Sequence, residues 1–170
     1  MAVVRDREEL QRALAAERAA GRCIVFTNGC FDLLHAGHVD LLKRARQFGD
    51  VLVVGLNSDD SVRAIKEPGR PFMDEADRAL ILDALEPVDY VVPFSEMTPK
   101  ELVDTVRPDV LVKGEDYRDK VIVGAERVRA DGGRVVTVPL LPERSSSALV
   151  ERIRECAEPP NTPAQDSTSI

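Results

Sequence analysis

The chain has two histidines, His35 and His38, and both lie in VFTNGCFDLLHAGHVDLLKRA, residues 25–45. Gly37 sits between them, where an apolar run gives way to helical spacing of Val39, Leu42, Ala45 and Phe48. Residues three apart share one helix face. A helix start also exposes unpaired backbone N–H groups and a partial positive charge. Two imidazole donors and those amides would grip a polyphosphate, and a glycine would let it approach the backbone closely. The protonation state is open, because a helix N-terminus disfavours the imidazolium while a bound phosphate favours it.

Three other readings compete. HxxH on a helix binds zinc when a third ligand is near, and Asp32 and Cys30 on the preceding turn are the candidates. Both imidazoles could serve only as packing or capping groups. A dinucleotide site is poorly supported, because the first turn lacks GxGxxG.

Further polar residues gather at the ends of apolar runs. Asn28, Gly29 and Asp32 follow the first run, and Asn57 and Asp59 follow VLVVGLN. Lys113, Gly114 and Asp116 follow DVLV, and Arg144 with Ser145, Ser146 and Ser147 follow RVVTVP. Lys113 closes a buried strand, where a charge needs a partner: an anionic ligand, or Asp116 as an ion pair. The three serines open a helix and read as one cap with two bystanders or as a second phosphate site. Asp32 fits a turn or cap as readily as a functional role, and Asn57 and Asp59 fit a helix cap. Lys66 and Arg78 are candidate phosphate grips, with a solvated face as the alternative.

These residues need a scaffold that brings strand ends together. Five short Val-, Ile- and Leu-rich strands alternate with helices: CIVFTNG, VLVVGLN, VDYVVPF, DVLVKG and RVVTVP. Helices are expected over 6–20, 36–48, from Ser58 or Asp59, from the Asp74 cap, over TPKELVDTV, 121–131 and from the serine run. In TPKE, Thr98 is expected to cap, with Pro99 in the first turn and Glu101 completing a capping box. The pattern predicts an α/β fold, a Rossmann-like three-layer αβα sandwich with a five-stranded parallel sheet. Ligands of such sheets bind beyond the carboxyl ends of the strands, where the polar residues lie.

Composition narrows the partners. With 23 Lys plus Arg against 30 Asp plus Glu the net charge is −7, and aromatics are 4% with no tryptophan, so a nucleic-acid partner is not expected. No apolar run reaches membrane-spanning length, and the charged N-terminus lacks a signal-peptide core, so a cytoplasmic protein with no membrane partner is expected. Cys23, Cys30 and Cys156 form no CxxC pair, and Cys23 and Cys30 are expected to act as small buried hydrophobes.

GCFDLLHAGHVDLL resembles the HxGH signature of the nucleotidyltransferase superfamily. VVGLNSDDSVRAIK, GRPFMDEADRALILDALEPVDYVVPF, TPKELVDTVRPDVLVKGEDY and RSSSALVERI extend the likeness, over about residues 22–154, to the adenylyltransferases of ADP-heptose synthesis. Departures are KGEDY for the common KGGDY, SSS for STT, and KEPGRP for the usual KG…RP. Periodicity gives an N-terminal helix over 1–21, the resemblance implies a nucleotidyltransferase domain over 22–156, and a Pro-, Ser- and Thr-rich composition without apolar pattern gives a disordered tail over 157–170. The resemblance also implies a free-standing form without the sugar kinase fused to this domain in many bacteria, and a homodimer, with the exposed-looking first helix available for the contact.

By the same resemblance the reaction is attack of a sugar 1-phosphate oxygen on the α-phosphorus of ATP, with Mg²⁺ held mainly by the triphosphate rather than by protein ligands. His35, His38 and Lys113 would be catalytic. Asn28, Gly29, Phe31, Asp32, Gly37, Arg78, Arg144, Ser145, Ser146 and Ser147 would bind nucleotide or phosphate. Asn57, Asp59, Lys66, Gly114, Asp116 and Tyr117 would face the second substrate. The rivals are a cytidylyltransferase on glycerol 3-phosphate or another phospho-alcohol, and a non-catalytic nucleotide-binding protein.

Overall fold

The computed structural model describes residues 2–157. In chain order the elements are β1 (Ala2–Val3), α1 (Arg7–Ala19), β2 (Ile24–Gly29), α2 (Ala36–Arg46), β3 (Val51–Asn57), α3 (Asp59–Ile65) and α4 (Glu75–Asp83). They continue with β4 (Tyr90–Phe94), α5 (Lys100–Val106), β5 (Val110–Gly114), a 3₁₀ turn at Glu115–Tyr117, α6 (Ala125–Ala130), β6 (Arg134–Val138) and α7 (Ser146–Ala157). The strands form one parallel sheet ordered β1-β4-β3-β2-β5-β6. The five predicted strands are all present. The two-residue β1 adds a sixth at the β4 edge, too short to leave a periodic signal.

Alternation along the strands divides the core between two layers of helices. Phe26, Val51, Val53 and Leu111 pack with Leu10 and Leu14 of α1, Leu102, Val103 and Val106 of α5 and Val128 of α6. Val25, Leu52, Val54 and Val112 pack on the other face with Leu42 and Ala45 of α2 and Ala79 and Leu82 of α4. Helix α1 is thus docked by its buried leucines and is not a wholly free surface. The predicted tail lies outside the described residues, apart from Ala157 at the end of α7. No helix among the described residues is long and apolar enough to cross a membrane.

At the opposite end from the polar residues, three aspartates pin the strands. Asp50, Asp89 and Asp109 each precede a strand and accept a backbone N–H in or just ahead of a neighbouring strand: Cys23 at 2.8 Å, Leu52 at 2.8 Å and Ile24 at 2.7 Å. Asp6, Ser58 and Asp74 cap α1, α3 and α4 through their side chains. Helix α5 differs from expectation: it starts at Lys100 with Pro99 at the cap position and no side-chain cap bond, so the Thr98–Glu101 box does not form. Cys23 and Cys30 are free and half-buried rather than enclosed.

Candidate active site

Strand order reverses beside β2, between β3 and β5, which is where an open α/β sheet forms its crevice. The β2–β5 register runs only through Val25↔Val110 and Phe26↔Leu111. Beyond it the Lys113 ammonium bridges the strands, donating to the Asn28 carbonyl at 3.2 Å and to Asn28 Oδ1 at 2.6 Å. Above this bridge opens a cleft of about 650 Å³, in the size range of small-molecule sites.

The histidine turn forms its floor. His35 is the N-cap of α2, and its Nδ1 accepts from Gly37 N at 3.1 Å. His38 Nδ1 accepts from His35 N at 3.4 Å, closing a capping box made of two imidazoles. The rings stack at 3.9 Å and 27°, and Phe31 packs against His38 at 5.3 Å. Burial pushes His35 below its ordinary value. Burial, and then His35 alongside, pushes His38 down to about 4, with Asp32 acting the other way. Both rings are therefore neutral at pH 7. Since each Nδ1 is an acceptor, the proton of each ring belongs on Nε2. Capping, an alternative to anion binding in the sequence, occupies only the Nδ1 edges and leaves the Nε2 edges available to a ligand.

Lys113 and the α7 start form one wall. Burial pushes Lys113 down to about 8, partly opposed by Asp116 and the Cys30 thiol. Its ammonium lies 5.1 Å from the Tyr117 ring centroid and makes no ion pair with Asp116. The serines divide their work. Ser145 Oγ accepts from Ala148 N at 3.1 Å, Ser146 Oγ donates to the Asp32 carbonyl at 2.5 Å, and Ser147 is exposed on the cleft.

Between these walls the turn from β2 to α2 is held under strain. Phe31 and Leu33 adopt left-handed backbone angles, φ 49° and 51°, at about 1–3 kcal/mol for each non-glycine residue. Arg78 holds the turn from below, donating to the Cys30 carbonyl at 2.6 Å and the Asn57 carbonyl at 2.8 Å. The Asp32 carboxylate, 5% exposed, accepts from Arg70 at 2.8 Å and from the Phe72 and Met73 amides at 3.0 and 3.1 Å. Burial works to raise its pKa, but those hydrogen bonds outweigh it and keep the carboxyl below its usual range.

A cytidylyltransferase-like family model matches residues 26–152, spanning both walls and the histidine turn. The chain belongs to the cytidylyltransferase-like family. It is 54% identical over 150 residues to the bifunctional protein HldE of Syntrophotalea carbinolica, and 51% identical over 152 residues to that of Geobacter metallireducens. These alignments take 88% and 89% of this chain and 31% of each relative, so the chain spans about a third of their length. A lipopolysaccharide core biosynthesis protein from Thermoplasma volcanium is 29% identical with a TM-score of 0.59, over 71% of this chain and 98% of that one. A pantoate-β-alanine ligase from Francisella tularensis shares the fold, with a TM-score of 0.60 at 18% identity, over 86% of this chain and 69% of that one. Family and fold together make this a nucleotidyltransferase domain of Rossmann-like architecture.

Most sequence-predicted residues line the cleft of this cytidylyltransferase-like domain: Asn28, Gly29, Phe31, Asp32, His35, Gly37, His38, Asn57, Lys66, Lys113, Asp116, Tyr117, Arg144 and Ser145 to Ser147. Arg78, Asp59 and Gly114 are not among its lining residues. Arg78 is 1% exposed, pairs with Asp59 at 2.7 Å and spends its donors on carbonyls, so it is a strut and not a phosphate grip. A Cβ at Gly114 would lie 2.6 Å from Asp116 Oδ1 and 2.8 Å from Leu140, both ends of exposed side chains. Gly37 is also required by packing: a Cβ there would meet the Arg144 carbonyl at 2.9 Å and the His35 ring at 3.0 Å. Asn57 donates to Ser61 Oγ at 2.8 Å. No group of three or more potential metal-binding side chains occurs among the described residues, which leaves the zinc reading without a third ligand. Arg70 was missed, because RP after PG reads only as a turn.

Proposed function

We propose that this domain transfers AMP from ATP to D-glycero-β-D-manno-heptose 1-phosphate, giving ADP-heptose and pyrophosphate. An oxygen of the acceptor phosphate attacks the α-phosphorus in line, and the bond from the α-phosphorus to the pyrophosphate oxygen breaks. The nucleophile is already an anion, so no general base is needed, and the protein's task is alignment and charge stabilisation. The observation that carries this reading is the pair of neutral imidazoles whose Nδ1 atoms are committed to the α2 start, which leaves two Nε2–H donors in the cleft that Lys113 also lines. Arg144, Ser147 and the α7 amides extend the donor set toward the triphosphate.

Mg²⁺ enters this reading with the nucleotide and supplies charge neutralisation on its phosphates. Asp32 is committed to Arg70, Phe72 and Met73, so Asp116, exposed on the cleft wall, is the better-placed carboxylate to complete the ion's shell. The choice of a heptose rests on the sequence resemblance. The names of the bifunctional HldE proteins, and of the lipopolysaccharide core biosynthesis protein, support that direction. The test is pyrophosphate release from ATP, CTP, GTP and UTP, each with heptose 1-phosphate and with glycerol 3-phosphate. Release specific to ATP with the heptose supports the reading. Release specific to CTP with glycerol 3-phosphate replaces it with the cytidylyltransferase reading.

A further inference from the structure

Arg70 lies on the connection between α3 and α4, on the β3 side of the cleft, and its side chain is 7% exposed. Three contacts orient the guanidinium. Nη1 donates to Asp32 at 2.8 Å, Nε donates to Glu67 at 3.0 Å, and Cζ lies 4.5 Å from the Phe72 ring centroid. Nη2 has no hydrogen-bond partner among the described residues. The two carboxylates on Arg70 are unequal. Asp32 is buried and shared with two backbone amides, whereas the Glu67 side chain is 60% exposed and lies on the same cleft wall. A guanidinium edge occupied by a solvent-exposed carboxylate is an oxyanion site with an internal stand-in.

The position identifies the anion. Lys113, Arg144 and the serines hold the β5 and α7 side of the cleft, the histidines its floor, and Lys66 with Arg70 the β3 side. A reaction between two anionic substrates needs cations on both flanks of the bond that forms. We propose that Arg70 binds the phosphate group of the acceptor, displacing Glu67, and is held in place for this by Asp32. The assignment rests on the nucleotidyl-transfer reading above, in which the acceptor is a phosphomonoester.

The experiment measures steady-state constants for Arg70→Lys and Glu67→Gln, with ATP and heptose 1-phosphate each varied against saturating partner. Lysine keeps the charge but loses the fork, so Arg70→Lys raises the acceptor KM at least ~10-fold and moves the ATP KM less than twofold. Glu67→Gln weakens the internal competitor and lowers the acceptor KM severalfold. An unchanged acceptor KM in both variants, or an effect of Arg70→Lys confined to ATP, overturns the proposal. If heptose 1-phosphate is not turned over, titration with inorganic phosphate followed by phosphorus NMR separates the two claims. Binding that is weakened in Arg70→Lys and strengthened in Glu67→Gln keeps the Arg70 site while the substrate reading falls. Binding indifferent to both substitutions removes the site itself.

Discussion

His35 and His38 cap the same helix with each other's help: His35 Nδ1 holds Gly37 N, and His38 Nδ1 holds the backbone N of His35. The rings stack at 3.9 Å, so neither can be removed without disturbing the other. Each imidazole thus has one edge committed to structure and one left for the proposed ligand, and substitution can separate them. His35→Asn offers an oxygen to Gly37 N but has no Nε2–H. It is expected to lose at least ~100-fold in turnover, as when a charge-stabilising donor is removed, while unfolding within ~0.5 kcal/mol of wild type. His35→Ala loses the same turnover and about 1 kcal/mol of stability as well. Turnover and denaturant unfolding of the two variants check both halves.

Lys113, assigned to the nucleotide in the proposed function, carries its charge at a stability cost. Its pKa falls from 10.5 to about 8 through burial, so keeping the ammonium there costs on the order of 3 kcal/mol. Removing it leaves two Asn28 acceptors unpaired, a loss of about 1–3 kcal/mol that offsets part of the gain. Lys113→Met is therefore expected to unfold at an equal or slightly higher Tm than wild type at pH 7 while losing nucleotide binding. In wild type, kcat/KM for ATP falls as pH rises through about 8, where the free domain's ammonium deprotonates. A clear drop in Tm, or a flat wild-type profile between pH 7 and 9, contradicts the assignment.

Arg78 is expected to act on stability first. Arg78→Ala strands the carbonyls of Cys30, Met73 and Asn57 and the Asp59 carboxylate. The loss is about 3–5 kcal/mol, the range for breaking a buried ion pair. Thermal and denaturant melts check this. A variant that melts like wild type yet binds nucleotide poorly would restore Arg78 as a ligand-contacting residue.

The same sequence features that made the fold legible blurred this residue. Valine-rich strands and helical spacing mark every long element, because burial on two faces or on one stripe leaves a period in the sequence. The two residues of β1 leave no period, and the absence of a Thr98 cap is decided by how Pro99 enters α5. At the site, residue type identifies a cation but not its partner. Arg78 and Arg70 look alike in sequence, yet one faces carbonyls beneath the turn and the other reaches the cleft. The histidines were legible as a pair because no others exist in the chain. Their shared cap was not, since it depends on which ring edge turns toward the backbone.

Acid should loosen the domain through His38. Its pKa is lowered from 6.5 to about 4, so between those values the unfolded chain binds a proton that the folded domain refuses. Stability then rises with pH across this window and is lost as pH falls from about 6.5 toward 4, by as much as ~3 kcal/mol. Denaturant midpoints at intervals between pH 4 and 7 should show this slope, and His38→Asn should reduce it. A midpoint that stays level in wild type over that range contradicts the burial of a neutral His38.

The most direct test reads the imidazoles themselves. With two histidines in the chain, long-range proton–nitrogen NMR of histidine-labelled protein resolves each ring's tautomer at pH 7. The account predicts two neutral rings protonated at Nε2, with both Nε2 resonances shifting when Mg²⁺-ATP is added and both Nδ1 resonances nearly still. Rings protonated at Nδ1 or doubly protonated in the free domain, or Nε2 signals indifferent to saturating nucleotide, would contradict it.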